Sequence, residues 1–208
     1  MILRVTPKSI VQLKIVIHVT NLAFILTWYY WAFTDALGAD PVKALIHFTG
    51  MGAINLLLLT LLVSPIARFT RQPQWIKIRR LLGLYSFTWA VLHLSNYVVF
   101  DLQLAFDTLL EDIIKRPYIT VGFSAFLILT SLAVTSPRAM QRTLGKRWQK
   151  LHNLIYPASL LVILHFIWSV KSFDPEPILY ALLLLLMLST RFKVVQQRLF
   201  SKSAGRQK

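Results

Sequence analysis

The chain contains no cysteine, and only 15% of its 208 residues are charged. The first absence excludes disulfides, thiolate metal sites and iron–sulfur clusters. The second, beside 56% hydrophobic residues, excludes an ordinary soluble domain. Acids are scarcer still, with eight Asp and Glu against 23 Lys and Arg. Inspection finds no low-complexity segment and no internal repeat, and no carboxylate falls inside a long apolar run.

What is present is a series of apolar runs long enough to cross a bilayer. They are Ile15–Phe33, Ala44–Ala67, Leu82–Phe100, Tyr118–Ser136, Leu154–Val170 and Ile178–Thr190. The last is short and spans only with its flanks, over about 177–192, or in a thinned membrane. The pattern predicts an all-α integral membrane protein, a six-transmembrane-helix bundle forming a single membrane domain over 1–208. Residues 193–208 would follow as a basic tail. The N-terminal run resembles a signal sequence but lacks a small-residue cleavage site after Phe33, so it is expected to stay as the first helix.

Charge sets the orientation. With the N-terminus in the cytoplasm, the inside segments 1–14, 67–81, 137–151 and 191–208 carry 19 of the 23 Lys and Arg. All eight acids fall outside: Asp35, Asp40, Asp101, Asp107, Glu111, Asp112, Asp174 and Glu176. This is the positive-inside bias, and it puts both termini in the cytoplasm. The net charge of +15 is then a topology signal with attraction to anionic lipid, and no nucleic-acid partner is expected. The outer segment Asp101–Arg116 carries Leu102, Leu104, Phe106, Leu109, Leu110 and Ile113. It is expected to form an interfacial helix on the outer leaflet or beneath a partner.

The candidate chemistry lies in the histidines. His93 stands twelve residues past Leu81 and His165 fourteen past Leu151. At a rise of about 1.5 Å per residue both rings lie roughly 18–21 Å from the inner face. An ionisable side chain at that depth marks a functional site by default. Two imidazoles at one level on facing helices suit axial ligation of a haem iron. Three alternatives remain: histidines hydrogen-bonded to their surroundings, a proton path, and zinc. A proton path ordinarily pairs histidine with embedded carboxylates, and zinc takes three or four ligands at one point.

Around the pair stand weaker candidates. His152 opens the fifth span at the inner face, and Arg79 lies fourteen residues before His93. Fourteen residues leave a helix about 40° short of whole turns, so Arg79 and His93 share a face. Thirteen residues separate His152 from His165, about 140° out of phase in a straight helix, with Pro157 between to change that phase. His152 and Arg79 are thus candidates for an inner ligand or propionate site. His47 opens the second span near Gly50 and Gly52, where a partner, quinone or flat cofactor could approach; His18 reads as an interfacial polar residue. Arg68, Arg71, Lys146 and Arg147 could draw an anionic cofactor or reductase to the inner face, or merely anchor the chain.

The segments LGADPVKALIHFTG, RRLLGLYSFTWAVLHLSNY, KRPYITVGF, AMQRTLGKRWQKLHNLIY and LHFIWSVK closely resemble the MsrQ (YedZ) family. These are haem-binding inner-membrane subunits of bacterial MsrPQ methionine sulfoxide reductase systems, within the wider ferric-reductase-like transmembrane group. The resemblance runs from about residue 8 to 193. It implies electron transfer from the quinone pool, or from a cytosolic flavin reductase, to the periplasmic molybdopterin subunit MsrP, which repairs oxidised proteins. It further implies b-type haem, one or two, together with FMN, and carries the metal-ligand role onto His93, His152 and His165. The chain would be the electron-transfer subunit rather than the catalytic one. Arg79 stands where the wider group often has an inner histidine, which departs from a second bis-histidine haem. Two other readings stay open: a self-contained ferric or cupric reductase, and a proton-coupled transporter.

Overall fold

The computed structural model describes residues 5–170 and 174–204, with side chains described no further than Thr190. Among these residues the fold is all helical. Helices α1 (Pro7–Phe33) and α2 (Pro41–Phe69) are followed by a short 3-10 turn and α3 (Ile76–Asn96). A π-helical turn, Tyr97–Asp101, leads to α4 (Phe106–Lys115) and α5 (Pro117–Val134). Then come α6 (Arg138–Leu144), α7 (Lys146–His152), α8 (Ile155–Ser169) and α9 (Glu176–Ala204).

Local sequence explains the helix starts. Thr6 caps α1 by accepting from the Ser9 N–H, and Asp40 caps α2 by accepting from Lys43. Each cap precedes a proline whose missing N–H costs nothing in the first turn. Arg116 is extended, as a residue before proline tends to be, and divides α4 from α5. Pro157 has no N–H for the carbonyl four residues back, and the chain breaks at Asn153–Leu154, between α7 and α8. His152 therefore ends one helix while His165 belongs to the next, so a straight-helix phase between them does not apply.

Two antiparallel helix pairs form the body. Helix α2 packs along α3, and α5 packs along α8, with α1 laid on the first pair and α9 across α8 and α2. Ile54, Leu57, Leu58 and Leu61 of α2 meet Leu129 and Leu132 of α5, Ile155, Ala158 and Ile163 of α8, and Leu184 of α9. A smaller cluster of Ile10, Val63, Ile78 and Leu82 ties α1 to the inner ends of α2 and α3. Outside these clusters the surface is unusually greasy. Val11, Ile15, Val19, Leu22 and Leu26 of α1 and Leu179, Leu182 and Leu186 of α9 are all more than half exposed. Such stripes belong against lipid rather than water.

The six apolar runs are largely helical, Leu82–Phe100 passing from α3 into the π-helical turn and the fourth and fifth runs extending a residue or two beyond α5 and α8. Four helical segments are long and apolar enough by themselves to cross a membrane: Pro7–Phe33, Pro41–Phe69, Pro117–Val134 and Lys146–Ser169. Helix α3 is not among them, and the apolar part of α9, Glu176–Thr190, is shorter. The reason in α3 is its polar content, which is spent inside the protein. Ser86 donates to the Ala53 carbonyl, the Trp89 indole donates to Asn21 Oδ1, and Asn96 donates to Thr49.

The outer segment forms the amphipathic helix α4. Phe106, Leu110 and Ile114 make an exposed stripe, while Asp112 on the other side is 5% exposed. Asp112 accepts from the Tyr97 hydroxyl and pairs with Arg116 at 2.8 Å. A hydrogen bond with Tyr118, helped by Asp112, raises the Arg116 guanidinium above its ordinary value. The expected basic tail continues α9 to Ala204; residues 205–208 lie outside the described residues, as does Lys171.

Candidate cofactor site

His93, near the outer end of α3, sends its Nδ1–H to the carbonyl of Ile46 on α2, 2.9 Å away. His165, in the corresponding part of α8, sends its Nδ1–H to the carbonyl of Tyr118 on α5 at 2.7 Å. Both carbonyls have lost their ordinary exclusivity to the helix ladder, and each fixes the tautomer of its imidazole. Nε2 is then the basic nitrogen of each ring, the form in which imidazole binds a metal.

Glycine makes both contacts possible. A Cβ on Gly50 would sit 3.0 Å from His93 Nδ1, and one on Gly122 only 2.5 Å from His165 Nδ1. Each glycine lies one turn after the accepting carbonyl, so the ring occupies space where a side chain would otherwise stand. The two arrangements repeat with one offset of 72 residues, from Ile46 to Tyr118, Gly50 to Gly122 and His93 to His165.

The two rings are neighbours, with centroids 6.1 Å apart and planes nearly perpendicular at 82°. Two imidazoles bonded to opposite sides of one metal ion, with bonds of about 2 Å and ring centres about 1 Å further out, are separated by about 6 Å. The observed spacing fits that arrangement. Among the described residues no group of three or more His, Cys, Asp or Glu gathers to hold a metal alone.

The remaining candidates are placed separately. His152 stacks on Trp148, with ring centroids 3.9 Å apart, and its Nε2 lies 3.0 Å from Thr135 Oγ1. Trp148 in turn donates to the Thr135 carbonyl. Arg79 is close enough to act electrostatically on His152, and neighbouring Arg80 donates to Ser136. His152 and Arg79 thus lie in the same region of the bundle, near the start of α3 and the end of α7. His47 is exposed on α2 beside Ile46, within electrostatic range of His93. His18 lies three turns into α1, which starts at Pro7. There its Nδ1 is 2.6 Å from the Tyr85 hydroxyl.

Sequence reasoning missed Gly122 and the carbonyls of Ile46 and Tyr118. A backbone acceptor leaves no side-chain signature, and Gly122 became legible only once His165 was seen to lie on it. The shared offset was a usable signal, but the matching residues are few: around the glycines Gly and Ala recur, and around the histidines Leu-His.

These features, with four bilayer-length apolar helices, define a multi-pass membrane protein. The family described as ferric reductase like transmembrane component matches residues 48–163, more than half of the chain, and the chain belongs to that family. The match takes in Gly50, His93, Gly122 and His152 and ends two residues before His165. Membership places the chain among membrane oxidoreductase components concerned with electron transport.

Proposed function

We propose that the chain is a six-span electron carrier of a bacterial inner membrane, holding a haem b between His93 and His165. The observation that carries this is the neighbouring pair of imidazoles, centroids 6.1 Å apart, each with Nδ1 committed to a backbone carbonyl. Haem supplies one-electron chemistry when bound, while the protein sets ligation, dielectric and access. His93 and His165 would hold the iron, and Gly50 and Gly122 leave room for their rings against α2 and α5. The apolar core of α2, α5 and α8 excludes water from the inner side of the pair.

The direction of transfer rests on the charge pattern. Basic inner segments and acidic outer segments support cytoplasmic termini, which puts the pair toward the outer side. His152 with Arg79 then stands at the inner side, where an anionic group of a flavin such as FMN, or of a second haem, would meet cationic residues. The resemblance supports quinol or a cytosolic flavin reductase as donor and the periplasmic subunit MsrP as acceptor, making this chain the electron-transfer rather than the catalytic subunit.

The test is the absorption spectrum of the purified protein expressed with adequate haem, with haem and flavin quantified together. A Soret band that survives His18→Ala but disappears in His93→Ala and in His165→Ala is expected. Protein without bound haem would sink the proposal. The acidic outer surface favours a second reading, reduction of ferric or cupric ions by the chain alone. Reduction of added ferric chelate without a periplasmic partner would support that one.

A further inference from the structure

We infer that His18 and Tyr85 form a binding site for the headgroup of a lipid-soluble quinone, open sideways to the bilayer between α1 and α3. The inference rests on the electron-carrier reading, which is what makes a redox-active ligand the relevant one.

Three polar pairs join these helices. Asn21 receives the Trp89 indole at 2.7 Å, and the Tyr29 hydroxyl donates to Asn96 at 2.6 Å, both among part-buried or buried groups. The third, His18 with Tyr85, is exposed, although its atoms lie only 2.6 Å apart and its rings meet edge to face at 5.4 Å. The surrounding surface of α1 carries Val11, Ile15, Val19 and Leu22, each more than half exposed. An exposed imidazole with a half-buried phenol at a lipid-facing surface is costly to keep there, and such residues mark ligand or ion paths.

A ligand for this pair has to come from the lipid phase and present oxygen atoms to it. With Nδ1 engaged by the phenol, His18 Nε2 is left to bond a quinone carbonyl or quinol hydroxyl. The Tyr85 oxygen can serve the same ligand. Depth agrees with such a headgroup. Lys14 lies one turn before His18, and Arg80 five residues before Tyr85, so the pair sits about 6–8 Å past its basic anchors. Tyr85 precedes His93 on the same helix by eight residues, about 12 Å of rise. A quinone held there is close to the histidine pair without touching the inner cluster of His152, Trp148 and Thr135.

The test uses the full chain in phosphatidylcholine–phosphatidylglycerol nanodiscs, labelled with an azido-quinone carrying a decyl tail and mapped by mass spectrometry. Label is expected on the α1 segment around His18 and the α3 segment around Tyr85, displaced by unlabelled decylubiquinone. Tyr85→Phe, which keeps the ring packing, and His18→Ala should each weaken binding about fivefold, the loss expected for one neutral hydrogen bond. Label confined to the His152 region or to His47, or binding indifferent to both substitutions, overturns the inference. Haem content measured on the same samples tests the carrier reading independently, because labelling needs no haem.

Discussion

The α2–α3 pair and the α5–α8 pair present the same three elements, a carbonyl, a glycine and a histidine, but hold them by different means. In the first, α3 is anchored by polar bonds to other helices, through Ser86, Trp89 and Asn96. In the second, the hydroxyl of Ser159 bonds locally to the Tyr156 carbonyl, and Ala158 and Ile163 pack into the apolar core. The second glycine is also the tighter: its absent Cβ would come 2.5 Å from the ring, against 3.0 Å in the first. The same imidazole placement is therefore reached once through hydrogen bonds and once through close packing, and the two halves should fail differently.

The largest test removes the two proposed ligands. His93→Ala and His165→Ala should each abolish the low-spin Soret band of purified protein; a band surviving only one of them would break the equivalence of the halves. Next come the glycines. Overpacking costs about 1–3 kcal/mol, and the closer contact puts Gly122→Ala at the upper end and Gly50→Ala lower. Denaturant titration of the Soret band should show haem released earlier from Gly122→Ala. The reverse order would mean that helix spacing, rather than ring contact, limits the site.

Smaller effects separate the anchors. Asn96→Leu leaves the Tyr29 and Thr49 hydroxyls without their partner, and intramembrane hydrogen bonds average about 0.6 kcal/mol each. A loss of about 1 kcal/mol is expected in mixed-micelle unfolding, with Ser159→Ala changing little because its bond is local. Equal losses would remove the distinction between a polar and an apolar half. Asp112→Asn should be milder still, weakening the Arg116 and Tyr97 contacts that hold α4. Its signature is faster amide exchange in Phe106–Lys115 with the Soret band unchanged.

Much of this architecture was legible in the sequence because hydropathy and charge act over whole segments. The apolar runs are largely helical, and counting from Leu81 and Leu151 brought His93 and His165 to one level, where their ring centroids lie 6.1 Å apart. Asp101–Arg116 showed its apolar pattern, and α4 has the corresponding exposed stripe. What stayed hidden was short-range and backbone-borne. The interruption at Asn153–Leu154 is a local consequence of Pro157, so the phase of His152 could not be had from residue counting. The inward turn of Asp112 was also invisible, since composition alone placed it among the outer acids. Helix α3 looked like any other span, yet its polar residues are satisfied by α1 and α2, a tertiary fact with no periodic trace.

Both histidine–carbonyl bonds lie within their own helix pair, 47 residues apart along the chain in each case. Membrane helices form first and associate afterwards, so each hairpin can orient its own imidazole before the other arrives. Biogenesis then needs no rearrangement of ring tautomers at the last step. Two prepared halves then meet. Coexpressed fragments divided between α4 and α5 would on this account still assemble a complete centre.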